Sequence, residues 1–135
     1  MAVQLSVAVR NARLDAVETA VGTSAILKIR TGGAPANCAA ADTGTVLATL
    51  NLPSDYMAAA GSGAKAKSGT WEDTSADATG TAAHFRLYAS DGTTCHLQGT
   101  VTATGGGGDL TVDNTSFAAG QAFAVTTFTL TDGNA

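Results

Sequence analysis

The stretch HFRLYASDGTTCHLQGTV, residues 84–101, decides the fold. Two runs that alternate apolar and polar residues flank Asp91-Gly92, the pattern of a β-hairpin. In the first run Phe85, Leu87 and Ala89 take one face and His84, Arg86 and Tyr88 the other. In the second, Cys95, Leu97, Gly99 and Val101 share the apolar face, with His96, Gln98 and Thr100 opposite. A two-residue turn pairs Leu87 with His96 and sets an apolar side chain beside a polar one. A three-residue loop, Ser90-Asp91-Gly92 with Gly92 left-handed, pairs Leu87 with Cys95 and Phe85 with Leu97 instead. That register sends the Cys95 thiol into the core and the His96 imidazole away from it, so the adjacent pair is not expected to chelate one metal. Cys95 then serves as a small core hydrophobe. His84 and His96 become diagonal neighbours, but with one outside carboxylate they fall short of a usual zinc ligand set, and no metal is expected.

From Thr81 onward strands recur at short spacing, over 81–89, 93–103, 109–113 and 121–131. With Gly-rich turns between them this is the pattern of an antiparallel sandwich or small barrel. In the last run Phe123 and Val125 have one parity and Phe128 and Leu130 the other. A β-bulge at Thr126-Thr127 puts all four on the core side. TATGGGGDL (102–110) lacks the Gly-Lys-Ser/Thr ending of a phosphate-binding loop and reads as a hairpin loop.

Upstream, AILKIRT (25–31) and TVLATLNLP (45–53) alternate, with Val46, Ala48, Leu50 and Leu52 on one face. TGGAPANCAAADTG (31–44) between them is a loop. Residues 54–69 are expected to hold one short helical turn before a Gly/Ser stretch, and 70–80 to form strand and loop. Ahead of all this, residues 5–21 carry two apolar rows at helical spacing: Leu5, Val9, Ala12, Ala16 and Ala20, and Val7, Leu14, Val17 and Val21. Gly22 stands where a C-terminal cap belongs. The alternation of Val3, Leu5, Val7 and Val9 leaves the helix start open by several residues.

The expected architecture is therefore mainly β: a single antiparallel β-sandwich or small barrel preceded by an N-terminal α-helix. Residues 1–22 form a helical arm and 23–135 the β-sandwich domain. Leu5, Val7, Val9, Leu14, Val17 and Val21 are the interface candidates, on a helix face that packs on the protein's own sheet or docks on a partner.

Of the 135 residues, 13% are charged and 5% aromatic, with a net charge of -4. Average globular proteins are about 25% charged. A smooth, weakly charged surface is comparatively easy to bury against further copies or partners, because few long side chains must be immobilised. The seven basic residues are scattered, so nucleic acid is not an expected partner. No run is long enough for a membrane helix, and MAVQLSVAVRNARLD has no basic region typical of a secretory signal. Folding in the cytoplasm, with Cys38 and Cys95 reduced, is expected; a disulfide between them after release from the cell is the alternative.

Catalysis is not expected. There is no G-x-S-x-G elbow, the aspartates mostly neighbour Gly, Ser, Thr or Asn as in turns and caps, and no cofactor motif is present. Trp71, His84 and Tyr88 are the candidate ligand patch, an exposed polar and aromatic surface for a carbohydrate-binding adhesin tip. Against that, a lone Trp is more often a core or interface anchor.

The segments VAVRNARLDAVETAVG, LKIRTGGAPANCAAADTGTVLATLNLPSDYMA, AKSGTWEDTSADATG, FRLYASDGTTCHLQGTV and GGGGDLTVDNTSFAAGQAFAVTTFTLTDGNA together resemble a family of small virion structural proteins of tailed bacteriophages and prophages. The resemblance spans nearly the whole chain and carries no catalytic motif. It implies a virion component made in the host bacterial cytoplasm. Such a component contacts phage capsid, neck or tail proteins; the broad apolar helix face ahead of a compact sheet adds the expectation that it self-associates, as a trimer or higher homo-oligomer. Head decoration is the first expectation, since a small β domain with an N-terminal arm suits clamping onto a shell. Neck, collar or tail attachment follows.

Overall fold

Ser6 starts the first element: its hydroxyl accepts a hydrogen bond from the Val9 N–H at 3.2 Å, an N-cap that opens helix α1 at Val7–Val21. Gly22 ends it with φ 94°, its N–H donating to the Glu18 carbonyl. The computed structural model describes residues 3–133; the outermost positions of the two expected segments, 1–2 and 134–135, lie outside them. Ten strands follow the helix among the described residues. They are β1 (Ile26–Arg30), β2 (Val46–Asn51), β3 (Ala64–Ala66), β4 (Glu72–Asp73), β5 (Gly80–Thr81), β6 (His84–Tyr88), β7 (Cys95–Ala103), β8 (Leu110–Val112), β9 (Ser116–Phe117) and β10 (Phe123–Thr131).

The chain is mainly β with one N-terminal helix. Its larger sheet runs β2-β1-β6-β7-β8-β10-β3, with β4 also on β10, and β5 pairs with β9 in a small second sheet. The larger sheet curls without closing into a barrel. Its β2 end comes close to β4, where the Thr49 N–H donates to Asp73 Oδ2 at 3.2 Å. Trp71, Phe85 and Phe128 meet in the enclosed core, ring to ring. Apolar burial on this inner face is the main stabilising term.

The final strand bulges where the alternation of its apolar residues requires it. Val125 pairs with Val112 and Thr127 with Thr111, so the register slips at Thr126. Phe123, Val125 and Phe128 are buried and Leu130 packs against the same core. The spare hydroxyls bond each other: Thr111 Oγ1 lies 2.6 Å from Thr126 Oγ1 and 2.6 Å from Thr127 Oγ1.

Four expectations are corrected. First, the hairpin does have Gly92 left-handed (φ 70°), but Leu87 pairs with Leu97 and Phe85 with Gly99, two residues further along β7. The register slips between Leu87 and Tyr88, and Tyr88 pairs with Cys95, leaving His96 as the bulged residue. A bulge inverts side-chain parity, so Cys95 faces out with Tyr88 and not into the core. Second, β7 and β8 are parallel, with Val101 opposite Leu110 and Ala103 opposite Val112; TATGGGGDL is not a hairpin loop. Parallel neighbours normally need a crossover of about a dozen residues or more. Here the chain doubles back directly over Thr102, whose hydroxyl accepts from the Gly108 N–H at 3.0 Å. A Cβ on Gly106 or Gly108 would lie 2.7 or 2.8 Å from that side chain, which accounts for glycine at both.

Third, residues 54–69 hold no helical turn. Met57 bridges to Lys67 and Gly61 to Ala64, and Ser62 (φ 52°) with Gly63 (φ 75°) makes a tight two-residue hairpin leading into β3. Fourth, the two apolar rows of α1 do not form one buried face. Val9, Ala12, Ala16 and Ala20 are exposed, while Leu14 and Val21 are buried against the protein's own sheet. Asn11, Asp15 and Glu18 share the inward face at spacings of three and four, so the helix docks largely through polar contacts.

Candidate functional site

Polar residues on the outer face of β1 and β6 are buried because the loop 31–45 lies across them. Arg86 carries most of this contact. Its Nη2 donates to the carbonyls of Cys38 (2.8 Å) and Asn37 (3.3 Å), and its Nη1 to the carbonyl of Ala40 (3.2 Å) and to the Asp42 carboxylate. Arg30 Nη2 meets the other Asp42 oxygen at 2.9 Å, and the Tyr88 hydroxyl donates to Asp42 Oδ1 at 2.6 Å. Lys28 Nζ sits 5.1 Å from the Tyr88 ring centroid.

The electrostatics follow from this arrangement. Burial works to raise the Asp42 pKa, but hydrogen bonds from Tyr88 and Arg86 and the charges of both arginines outweigh it, holding the carboxyl below its usual range. Burial and the bond to Asp42 push the Tyr88 hydroxyl up to about 12. The Nη atoms of both arginines are taken up by the protein's own oxygens. What the cluster does is hold the loop; it offers no nucleophile paired with a base.

The proposed ligand patch is not a surface. Trp71, His84 and Tyr88 are 1%, 1% and 0% exposed. Trp71 Nε1 donates to the carbonyls of Tyr56 and Ser68, both at 3.1 Å, as a core anchor does. His84 Nδ1 lies 2.6 Å from the Gly32 carbonyl, which can only accept, so that nitrogen carries the proton; Nε2 is buried with no partner. The adhesin reading is left without its exposed aromatics. His84 pairs with Thr100 and His96 is exposed at the bulge, so the register separates the two histidines. Among the described residues no three His, Cys, Asp or Glu side chains come together to hold a metal ion.

A second polar junction fixes α1. Lys65, 2% exposed on β3, reaches Asp15 Oδ1 at 2.7 Å, Glu18 Oε2 at 2.8 Å and the Ala58 carbonyl at 2.9 Å. Asn11 Oδ1 accepts from the Gly63 N–H, and Arg10 and Arg13 bind Asp132 at the end of β10. Beside it opens a cleft of about 590 Å³ lined by Asp15, Glu18, Thr19, Asp55, Met57 and Lys65. A shallower apolar groove lies between Leu14 and Val17 of α1 and Leu97 and Leu130 of the sheet.

The six interface candidates are divided by this docking. Leu14 and Val21 are buried in the domain, and Leu5 and Val17 are half-buried. Val7 and Val9 remain 46% and 45% exposed, and Val3 is 83% exposed. Sequence reasoning missed Arg30, Asp42 and Lys65; the available signal was the placing of Arg30 and Arg86 inside apolar strands. Among the described residues no helix is long and apolar enough to cross a membrane. No protein-family model, no curated protein and no solved structure matches this chain.

Proposed function

We propose that this chain is a structural protein of a tailed-bacteriophage virion, a head-decoration protein that self-associates and binds the capsid. The observation that carries the reading is where apolar surface remains. The exposed large hydrophobics among the described residues are Val3, Val7 and Val9; from Val9 an exposed row runs along one face of α1 through Ala12, Ala16 and Ala20, while Val3 and Val7 are exposed at the N-terminal end. An exposed apolar row along one helix face marks a contact region. The resemblance of the quoted segments to small virion proteins supports the virion as the place of that contact. The low share of charged side chains, 13%, supports contacts made through apolar area more than through ion pairs.

Cryo-electron microscopy of the purified particle, with this chain fitted to the density, tests the reading. Regular copies over the head support decoration. Copies confined to the neck or tail overturn decoration and retain a virion role, and absence from the particle overturns both.

A further inference from the structure

The two cysteines come together at Arg86. The bulge at His96 puts Cys95 opposite Tyr88, on the outer face that Arg86 shares. From above, the loop 31–45 brings down Cys38, whose carbonyl accepts from Arg86 Nη2 at 2.8 Å. The Cys95 thiol donates to the Leu97 carbonyl at 3.2 Å, and its pKa is raised by burial and the neighbouring Cys38 thiol and lowered by the nearby Arg86 guanidinium. Both cysteines are free and half-buried. They therefore lie between two segments that no backbone ladder joins: the covering loop and β7.

We propose that Cys38 and Cys95 form a disulfide site, closed by exchange with a low-molecular-weight disulfide such as oxidised glutathione when the protein meets an oxidising environment. Cys38, on the loop, attacks first. Its thiolate bonds to one sulfur of oxidised glutathione and displaces the other as a glutathione thiolate. Cys95 then gives up its proton to solvent and attacks the Cys38 sulfur of the mixed disulfide, displacing the second glutathione thiolate. Two protein thiols lose two electrons and two protons, and one oxidised glutathione becomes two reduced ones. Burial and the neighbouring Cys38 thiol push the Cys95 thiol up to about 11, which suits a resolving thiol more than an initiating one, while the Arg86 guanidinium favours the thiolate that the second attack needs. The bond ties the loop to β7 over the Arg30–Asp42–Arg86 cluster. This inference is independent of the virion reading.

The test equilibrates the native protein with reduced and oxidised glutathione, quenches with acid, alkylates free thiols and measures intact mass. The expected product is a monomer lighter by two hydrogens, with no alkylated cysteine and a peptide that joins Cys38 to Cys95. Its denaturation midpoint should lie on the order of 10 °C above that of the reduced protein. Cys38→Ser and Cys95→Ser should each stop at a single glutathione adduct. Two alkylatable thiols after equilibration with excess oxidised glutathione, persistent glutathione adducts on the wild type, or disulfide-linked dimers would overturn the proposal.

Discussion

The ring of Phe85 on β6 meets the ring of Phe128 on β10 edge-on, with centroids 5.5 Å apart. In a flat sheet the two strands, separated by β7 and β8, would lie roughly 14 Å apart. The contact thus reports how strongly the sheet curls, and Phe128 also stacks on Trp71 at 5.5 Å. Phe128→Ala removes the ring from a closed core and should cost about 3–5 kcal/mol. Urea unfolding reads this as a lower midpoint with an unchanged slope.

Stability should form a plateau that falls at both ends of the pH scale. Asp42 binds its proton less tightly in the folded chain than an ordinary aspartate of pKa 3.8, so its contribution is complete at neutral pH and fades as pH drops below that value. Tyr56 and Tyr88 are raised from 10.0 to about 12, chiefly by burial, so they favour the folded state below pH 10 and that contribution is lost as pH rises toward 12. Denaturant midpoints measured across pH should show both shoulders. Asp42→Asn should flatten the acid one and lower the midpoint at neutral pH, because two guanidiniums then face no carboxylate.

Gly44 holds the far end of the covering loop with φ +71°, and a Cβ there would lie 2.0 Å from the Thr31 carbonyl oxygen. Backbone has to move to relieve such a clash. Gly44→Ala should therefore destabilise by more than about 1 kcal/mol. Hydrogen exchange should speed up first at the Thr31 and Thr45 amides, which bond across this junction.

Val3, Val7 and Val9 contribute more exposed apolar surface than core packing. Changing all three to Ser should leave the unfolding free energy within about 0.5 kcal/mol per site of the wild type. The same variant should sediment as smaller species and bind fewer copies per particle. Unchanged assembly and unchanged particle binding would remove the contact role of this segment.

Much of the architecture can be read from single positions. Thr126-Thr127 breaks the parity of an apolar run, and a broken parity has one economical cure, the bulge that is found. Gly92 in the hairpin is legible for a similar reason. His96 is not: its neighbours alternate correctly, so nothing in the run marks it as the extra residue, and the face of Cys95 comes out inverted. Strands of two or three residues, such as β3, β4, β5 and β9, are too short to show a period. The site was misread because alternation equates polar with exposed. His84, Arg86 and Tyr88 do share the face expected of them, but a loop with no periodicity of its own covers it.

Arg10 of the first helix donates to the carbonyl of Asp132, 122 positions later, just past the last strand. On a ribosome adding about 5–20 residues per second, the helix waits on the order of ten seconds for that partner to be made. Lys65, its other anchor, emerges earlier and can hold the helix only provisionally. Attachment of α1 at Asp132 therefore follows synthesis of every strand of the sheet, and Val7 and Val9 take up their final orientation only after β10 has been made.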